Sequence, residues 1–217
     1  MIHCSLRIQE ILEWVDGDVI ADIGCDHAYV SVNAILNGQS KKAYACDIAK
    51  GPLENAKKTI YENHVENQVT CCLMNGIQGL SEDVNQIIIT GMGGKLIIDI
   101  LEKGHLYEGL RLLVSCHKDS FALREYLMEH NIHIQREKVI FDKDHYYPVM
   151  DCIVKDSHQD LTKAQLMYGY HVLENAVYDA YLQFEFCKYQ NLLQKVQKQE
   201  FLDQIEYIKE IRNQRIS

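Results

Sequence analysis

Five short apolar runs alternate with stretches of helical spacing along the first 130 residues. The runs have the length and the composition of strands, and they read DVIADI, KAYACD, QVTCCL, QIIIT and RLLVS. Helical stretches follow the first, second, fourth and fifth runs and read VNAILN, GPLENAKKTIYENH, GKLIIDILEKG and SFALREYLMEH. Alternating strands and helices predict a mainly parallel sheet with helices on both faces. A further helix is predicted at about residues 3 to 14, before the first run.

Two more strand-like runs, IHIQREKVIF and YYPVMDCIVK, follow in direct succession. Because no helix separates them, they are expected to pair antiparallel. The predicted fold is therefore α/β and Rossmann-like, with a mostly parallel sheet of about seven strands that ends in a hairpin.

The last part of the chain lacks helix breakers. All 12 glycines and both prolines lie at or before Gly169, which leaves 48 consecutive positions free of either. The apolar positions recur at helical spacing, at Leu173, Val177, Tyr181, Phe184, Val196, Leu202, Ile205, Ile208 and Ile211. We predict an antiparallel, coiled-coil-like helical hairpin with its turn around residues 187 to 192. The predicted domains are residues 1–157 and the helical residues 158–217.

Composition narrows the class of protein. The 217 residues are 47% hydrophobic and carry a formal charge of −9, which argues against nucleic-acid binding through overall basicity. No apolar run approaches the roughly 20 residues of a membrane span, and the N-terminus lacks the pattern of a signal peptide. The eight cysteines form no C-x-x-C pair, so we expect reduced thiols and no metal site. A cytoplasmic protein is expected, and a monomer is slightly favoured.

The stretch VIADIGCDHAYV ends the first predicted strand with an acid and a turn glycine. Where a parallel strand meets the next helix, glycine allows the backbone to approach a bound molecule. Only Gly24 is present of the three glycines in G-x-G-x-x-G, which disfavours a dinucleotide. Asp47 ends the second strand, where an acid accepts hydrogen bonds from ribose hydroxyls. One glycine turn and one ribose acid indicate a nucleoside cofactor without a pyrophosphate, and S-adenosyl-L-methionine fits.

Two further strand ends carry polar or flexible residues. Asn75, in MNGIQGL, is placed to hydrogen-bond an adenine edge, and the glycines of TGMGGKL leave open backbone around a transfer site. Taken alone, a glycine cluster at a strand end is more often a tight turn than a ligand site. Four such loops on one edge of one sheet indicate a ligand site.

The set ADIGCDHAY, GPLENAKKTI, NG…GL and TGMGGKLI, followed by LREYL and a helical tail, resembles the bacterial TrmK family. The resemblance runs over essentially the whole chain and implies an S-adenosylmethionine-dependent methyltransferase acting on the N1 nitrogen of adenine 22 in tRNA. It implies a cofactor pocket whose methionine end is lined by Asp22, Gly24, Asp26 and His27. Asp47 would bind the ribose, and Asn75 and Gly76 would lie on the adenine side. Met92, Gly93 and Gly94 would line the transfer site.

Some segments depart from the family's usual sequence. Val30 and Ser31 stand where a proline is common, SCHKD (residues 115–119) ends the fifth strand, and Tyr147-Pro148 replaces a usual Tyr-Glu pair. The last two segments lie where the target base is expected, so a different methyl acceptor, such as a small molecule or a protein, is an alternative. A second alternative is a non-catalytic binding module on the same fold.

The candidates for catalysis are Asp26 and Tyr29. Methylation of a neutral adenine at N1 leaves a cation, which a carboxylate such as Asp26 would stabilise or deprotonate; alternatively, Asp26 only orients the cofactor. Tyr29 is the candidate aromatic for packing on the base. The tail is either a helical cap or an arm that holds RNA through its basic residues Lys188, Lys195, Lys198, Lys209, Arg212 and Arg215.

Overall fold

The structure is a computed structural model that describes residues 2–214. Its strands are β1 (Val19–Ile23), β2 (Lys42–Asp47), β3 (Val69–Leu73), β4 (Gln86–Met92), β5 (Arg111–Cys116), β6 (Ile132–Asp142) and β7 (His145–Val154). Its helices are α1 (Leu6–Leu12), α2 (Tyr29–Leu36), α3 (Lys50–Glu62), α4 (Gly94–Leu101), α5 (Ser120–Glu129), α6 (Lys163–Tyr168), α7 (Ala176–Lys195) and α8 (Gln199–Gln214).

The strands form one seven-stranded sheet in the order β3-β2-β1-β4-β5-β7-β6. The first five strands pair parallel, and β7 pairs antiparallel with both β5 and β6. The predicted Rossmann-like sheet with its terminal hairpin is confirmed. The strand order reverses between β1 and β4, so the carboxyl ends of these strands flank the switch point at which such folds bind ligands.

Successive residues of the central strands point to opposite faces of the sheet. Ile20, Ile88 and Leu113 pack with α1, α2 and α3 on one face. Ile87, Ile89, Leu112 and Val114 pack with α4 and α5 on the other. Because both faces are covered, β1, β4 and β5 read as continuous apolar runs.

The C-terminal helices pack against the hairpin edge of the sheet. Val139 of β6 shares a buried cluster with Tyr168 of α6, Leu182 of α7 and Ile208 of α8. The helices α7 and α8 are antiparallel, since Arg212 donates to Gln183 while Tyr189 lies against Phe201 nearer the turn. The predicted hairpin is confirmed, and the domain boundary at residue 157 stays a prediction.

Three helical features differ from those expected. The predicted turn at residues 187–192 is wrong, because α7 continues to Lys195 and ends at Val196, whose backbone is extended. No residue in 187–192 breaks a helix, so the chain turns only at residues 196–198. The first helix spans Leu6–Leu12 rather than 3–14, and the short helix α6, capped by Thr162, was not predicted. Within residues 2–214, no helix has the combined length and hydropathy of a membrane span.

Candidate functional site

The loop after β1, residues 24–28 (the β1 loop), is held tightly against the neighbouring strand. The backbone N–H groups of Gly24 and Cys25 both donate to the carbonyl of Cys46, at 2.8 and 3.0 Å. Gly24, Asp26 and Ala28 all have positive φ, between 48° and 73°. Such a left-handed backbone costs energy for the two non-glycine residues, which is typical of a functional turn.

Asp22 lies beneath this loop and fixes the start of α2. Its Oδ2 accepts hydrogen bonds from the backbone N–H of Ser31 at 3.3 Å and from its hydroxyl at 2.9 Å. Ala28, at the N-cap, provides no side-chain cap, so the carboxylate of Asp22 satisfies a free N–H group of the first turn. The pKa of Asp22 is raised to about 6, mainly because the side chain is buried. The hydrogen bonds from Ser31 lower this pKa, and the negative charge of Asp47 raises it further.

Asp26, His27 and Tyr29 line a cleft of about 230 Å³ together with Asp22 and Gly24. The Asp26 side chain is 69% exposed, and its Oδ1 lies 3.8 Å from Nε2 of His27. The His27 ring stacks on the Tyr29 ring at a centroid distance of 5.3 Å. The structure therefore brings the predicted methionine-end residues and both catalytic candidates into one cleft, and their roles stay predictions.

Asp47 ends β2 beside the β1 loop. Its Oδ1 accepts from the N–H of Ala49 at 2.9 Å, and its carbonyl accepts from Met74 at 2.9 Å. The second bond brings the segment after β3 next to Asp47. There Asn75 is exposed, whereas Gly76 is buried against Ile100 with φ +65°. Asp47, Asn75 and Gly76 thus lie along one edge, but they do not line the 230 Å³ cleft.

The turn after β4, residues 91–94 (the β4 turn), lies between the β1 loop and the loop after β5. The side chain of Met92 occupies the place that a Cβ on Gly24 would take. On the other side, a Cβ on Gly94 would lie 2.5 Å from the carbonyl oxygen of Asp119. The approach to the Asp119 backbone requires glycine at position 94, whereas the terminal methyl of Met92 could move and Gly24 is favoured by its φ of +73°. These contacts place Met92, Gly93 and Gly94 at the centre of the sheet edge, and their role at the transfer site stays a prediction.

Arg7 is a site residue that sequence reasoning missed. It comes from α1, lines the same cleft as Gly24 and Asp26, and has its guanidinium over the Tyr147 ring at 4.8 Å. Its Nε is buried and has no hydrogen-bond partner among the described residues. A buried donor without a partner costs free energy, so the position favours an anionic ligand group. An arginine in an amphipathic helix gives no such signal in the sequence.

These loops define the class of protein. A mostly parallel sheet of this order, with a glycine turn after β1, an acid ending β2 and a glycine-rich turn after β4, is the arrangement of a Rossmann-like methyltransferase. A family model described as a methyltransferase domain matches residues 4–150, and the chain belongs to that family.

Relatives and solved structures specify the similarity further. The chain is 30% identical over 153 residues to the tRNA (adenine(22)-N(1))-methyltransferase of Bacillus subtilis, an alignment that covers 69% of this chain and 64% of the relative. The chain thus spans just under two thirds of the length of that curated protein. The structure superposes on that of M. capricolum TrmK in complex with S-adenosyl-homocysteine, with a TM-score of 0.83, 26% identity and coverage of 96% and 97% of the two chains. Superposition on the B. subtilis m1A22 tRNA methyltransferase TrmK gives a TM-score of 0.79, 26% identity and coverage of 97% and 99%. The resemblance to the TrmK family is thereby confirmed.

Proposed function

We propose that this protein is a cytoplasmic, S-adenosyl-L-methionine-dependent methyltransferase that modifies the N1 nitrogen of adenine 22 in tRNA. The observation that carries the proposal is the arrangement of the β1 loop, Asp47 and the β4 turn on one sheet edge. Similarity to M. capricolum TrmK and B. subtilis TrmK over nearly the whole chain, helical tail included, supports the choice of substrate.

The residues of the site fit the proposed cofactor group by group. Asp47 would accept hydrogen bonds from the ribose hydroxyls, and Asn75 with Gly76 would contact the adenine. Arg7, whose Nε lacks a partner, would pair with the α-carboxylate of the methionine moiety. Asp22, Gly24 and His27 would line the same end of the pocket.

The cofactor supplies a methyl group activated on a sulfonium, so little covalent chemistry is left for the protein. Its residues must hold the target nitrogen in line with the methyl group, and such alignment contributes about 7 to 11 kcal/mol. Asp26, at the mouth of the cleft, would stabilise the positive charge that develops on the methylated adenine. Tyr29, stacked on His27, would border the path by which the base reaches the methyl group.

A direct test is to incubate the purified protein with labelled S-adenosylmethionine and bacterial tRNA and to map the methylated nucleoside. We expect 1-methyladenosine at position 22 and no label in a tRNA transcript that carries guanine there. S-adenosylhomocysteine at about 100 times its dissociation constant should also stabilise the fold by about 2.7 kcal/mol. Stabilisation without transfer to tRNA would favour a different methyl acceptor, and absence of both effects would favour a non-catalytic module.

The helical tail would hold the tRNA backbone. Two of its basic residues are paired, Lys188 with Glu185 at 2.8 Å and Lys209 with Glu206 at 2.7 Å. Lys195, Lys198 and Arg212 form no ion pair within the part of the chain that the structure describes, and Arg215 lies outside that part. Unpaired cations are the ones that can release counterions from RNA.

Changing Lys195, Lys198 and Arg212 to glutamine should therefore flatten the dependence of log Kd for tRNA on log salt concentration. Each lost phosphate contact reduces the slope by about 0.7 to 0.9. The matched control changes Lys41, Lys57 and Lys58, three paired lysines outside the tail, to glutamine. Equal slopes for wild type and the tail variant would show that the tail only caps the core and does not contact RNA.

A further inference from the structure

A second and larger cleft, of about 810 Å³, adjoins the sheet edge. Its walls are the loop after β5, residues 117–119 (the β5 loop), the tip of the β6–β7 hairpin, and one face of α7. The β5 loop is bonded to the β4 turn through the N–H of Gly94, which donates to the carbonyl of Lys118 at 2.9 Å. One wall of the cleft is thus joined to the proposed transfer site.

Aromatic rings line the far side of this cleft. Tyr146 of β7 is central, with centroid distances of 4.8 Å to Phe141, 5.3 Å to Tyr181 and 5.7 Å to Phe184. The rings are tilted against one another, and Phe141 and Phe184 remain 43% and 55% exposed. Exposed aromatic faces in a concave site are the platform on which unpaired nucleobases stack.

Asp119 lies at the near side, between the cleft and the β4 turn. It adopts a left-handed backbone with φ 58°, and its Oδ2 is 3.7 Å from the place of a Cβ on Gly93. The cleft and the transfer site therefore share a carboxylate, and a carboxylate is an acceptor for the exocyclic amine of adenine. Lys118, which precedes it, makes no ion pair among residues 2–214 and is available to a phosphate.

We propose that this cleft receives the target adenine of the RNA, stacked on Phe184 and Tyr146, with Asp119 accepting a hydrogen bond from the amine of the base. The occupant is an unpaired adenosine because the cleft combines exposed rings, an acceptor for an amine and a free cation. The inference rests on the proposed function, since it assumes that RNA is the methyl acceptor. It adds the residues of α7 and the β5 loop that select the base.

The test measures tRNA methylation and S-adenosylhomocysteine binding for Phe184→Ala and Asp119→Asn. Loss of one stacked base should lower kcat/KM for tRNA about 5- to 150-fold, which corresponds to 1 to 3 kcal/mol. Asp119→Asn should lower kcat/KM to a similar extent, and asparagine tolerates the left-handed backbone, so the loop is kept. The affinity for S-adenosylhomocysteine should be unchanged in both variants.

Three controls separate stacking from folding. Phe184→Tyr keeps an aromatic ring and should retain activity, whereas Phe184→Leu keeps apolar packing and should lose it. Tyr61→Ala removes an exposed ring on α3, 69% exposed against 55% for Phe184 and outside the cleft, and should leave methylation unchanged. If the wild type methylates tRNA and Phe184→Leu and Asp119→Asn are fully active, the cleft assignment is wrong but the proposed function is not. A wild-type protein that binds S-adenosylhomocysteine but does not methylate tRNA would overturn the proposed function, and the cleft assignment with it.

Discussion

Arg124 of α5 and Glu137 of β6 form a buried, bidentate ion pair. Nε of Arg124 donates to Oε1 of Glu137 at 3.0 Å and Nη2 donates to Oε2 at 2.8 Å, with both side chains at most 2% exposed. Nη1 of Arg124 also donates to the carbonyl of Leu166 at 3.0 Å, and Oε1 of Glu137 accepts from the N–H of Tyr170 at 2.7 Å. The pair therefore joins α5 and β6 to the segment that leads into the helical tail.

Glu137→Gln should destabilise the protein strongly, because it leaves the Arg124 charge buried without a partner. Removing one partner of a buried ion pair costs about 3 to 5 kcal/mol. Urea unfolding measures the loss, and Glu54→Gln on the exposed surface of α3 is the matched control, expected to cost less than about 1 kcal/mol. Similar small losses for both variants would contradict this account.

The same pair determines how the tail can be tested. Deletion of residues 160–217 would remove Leu166 and Tyr170 and expose Arg124, so a truncated chain is expected to fold poorly. Substitution of the unpaired tail cations tests RNA binding without this loss.

The strands were predictable because each is a short apolar run, and their mainly parallel arrangement followed from their alternation with helices. The turn of the tail was not, because residues 170–217 contain no glycine or proline and the helical spacing continues through the true turn at 196–198. Local periodicity cannot place an end that tertiary packing decides.

The candidate site was predictable where one loop carries several polar residues, as in the β1 loop. Arg7 was not, since its position depends on Tyr147, which lies 140 residues away in the sequence. For the same reason Glu137 could not be predicted as the partner of Arg124, although Arg124 belongs to LREYL, one of the segments that carry the family resemblance. Contacts between distant residues leave no pattern within one segment.

Asp22 should make stability depend on pH. Its pKa in the folded protein is about 6, raised by burial above the ordinary value of 3.8, so the folded state binds the proton more tightly than the unfolded state. The contribution of Asp22 to the free energy of unfolding is therefore fully favourable below about pH 4. It is lost as pH rises towards 6, a change of about 3 kcal/mol.

Asp22→Asn should remove this loss. We expect the difference in unfolding free energy between variant and wild type to shift in favour of the variant between pH 4 and 6 and to be constant above. Ser31→Ala removes the hydroxyl bond that lowers the pKa, so the pH dependence should become larger in that variant. Parallel stability curves for wild type and Asp22→Asn would show that Asp22 does not titrate in this range.

Arg7→Gln should weaken binding of S-adenosylhomocysteine about 10- to 100-fold, the range of a lost hydrogen bond to a charged group. Methylthioadenosine lacks the amino-acid carboxylate, so its affinity should not change. Calorimetry with both ligands measures the difference. Arg136→Gln is the control, because Arg136 also stacks on an aromatic ring, Trp14 at 4.5 Å, but lies outside the cleft. Equal losses for both ligands would show that Arg7 supports the fold of the site rather than the carboxylate.

Asp26→Asn tests whether the exposed carboxylate of the β1 loop acts in catalysis. Asparagine keeps the shape and tolerates the left-handed backbone at φ 48°, so only the charge is removed. If Asp26 stabilises the developing adenine cation or takes its proton, the single-turnover rate should fall about 100-fold or more while cofactor affinity changes little. Asp18→Asn, at the opposite end of β1 and 61% exposed, makes the same change of charge away from the site and should have no effect. A collapse of cofactor affinity in Asp26→Asn, with the rate of the saturated complex preserved, would instead assign Asp26 to cofactor binding and leave Asp119 as the carboxylate that faces the base.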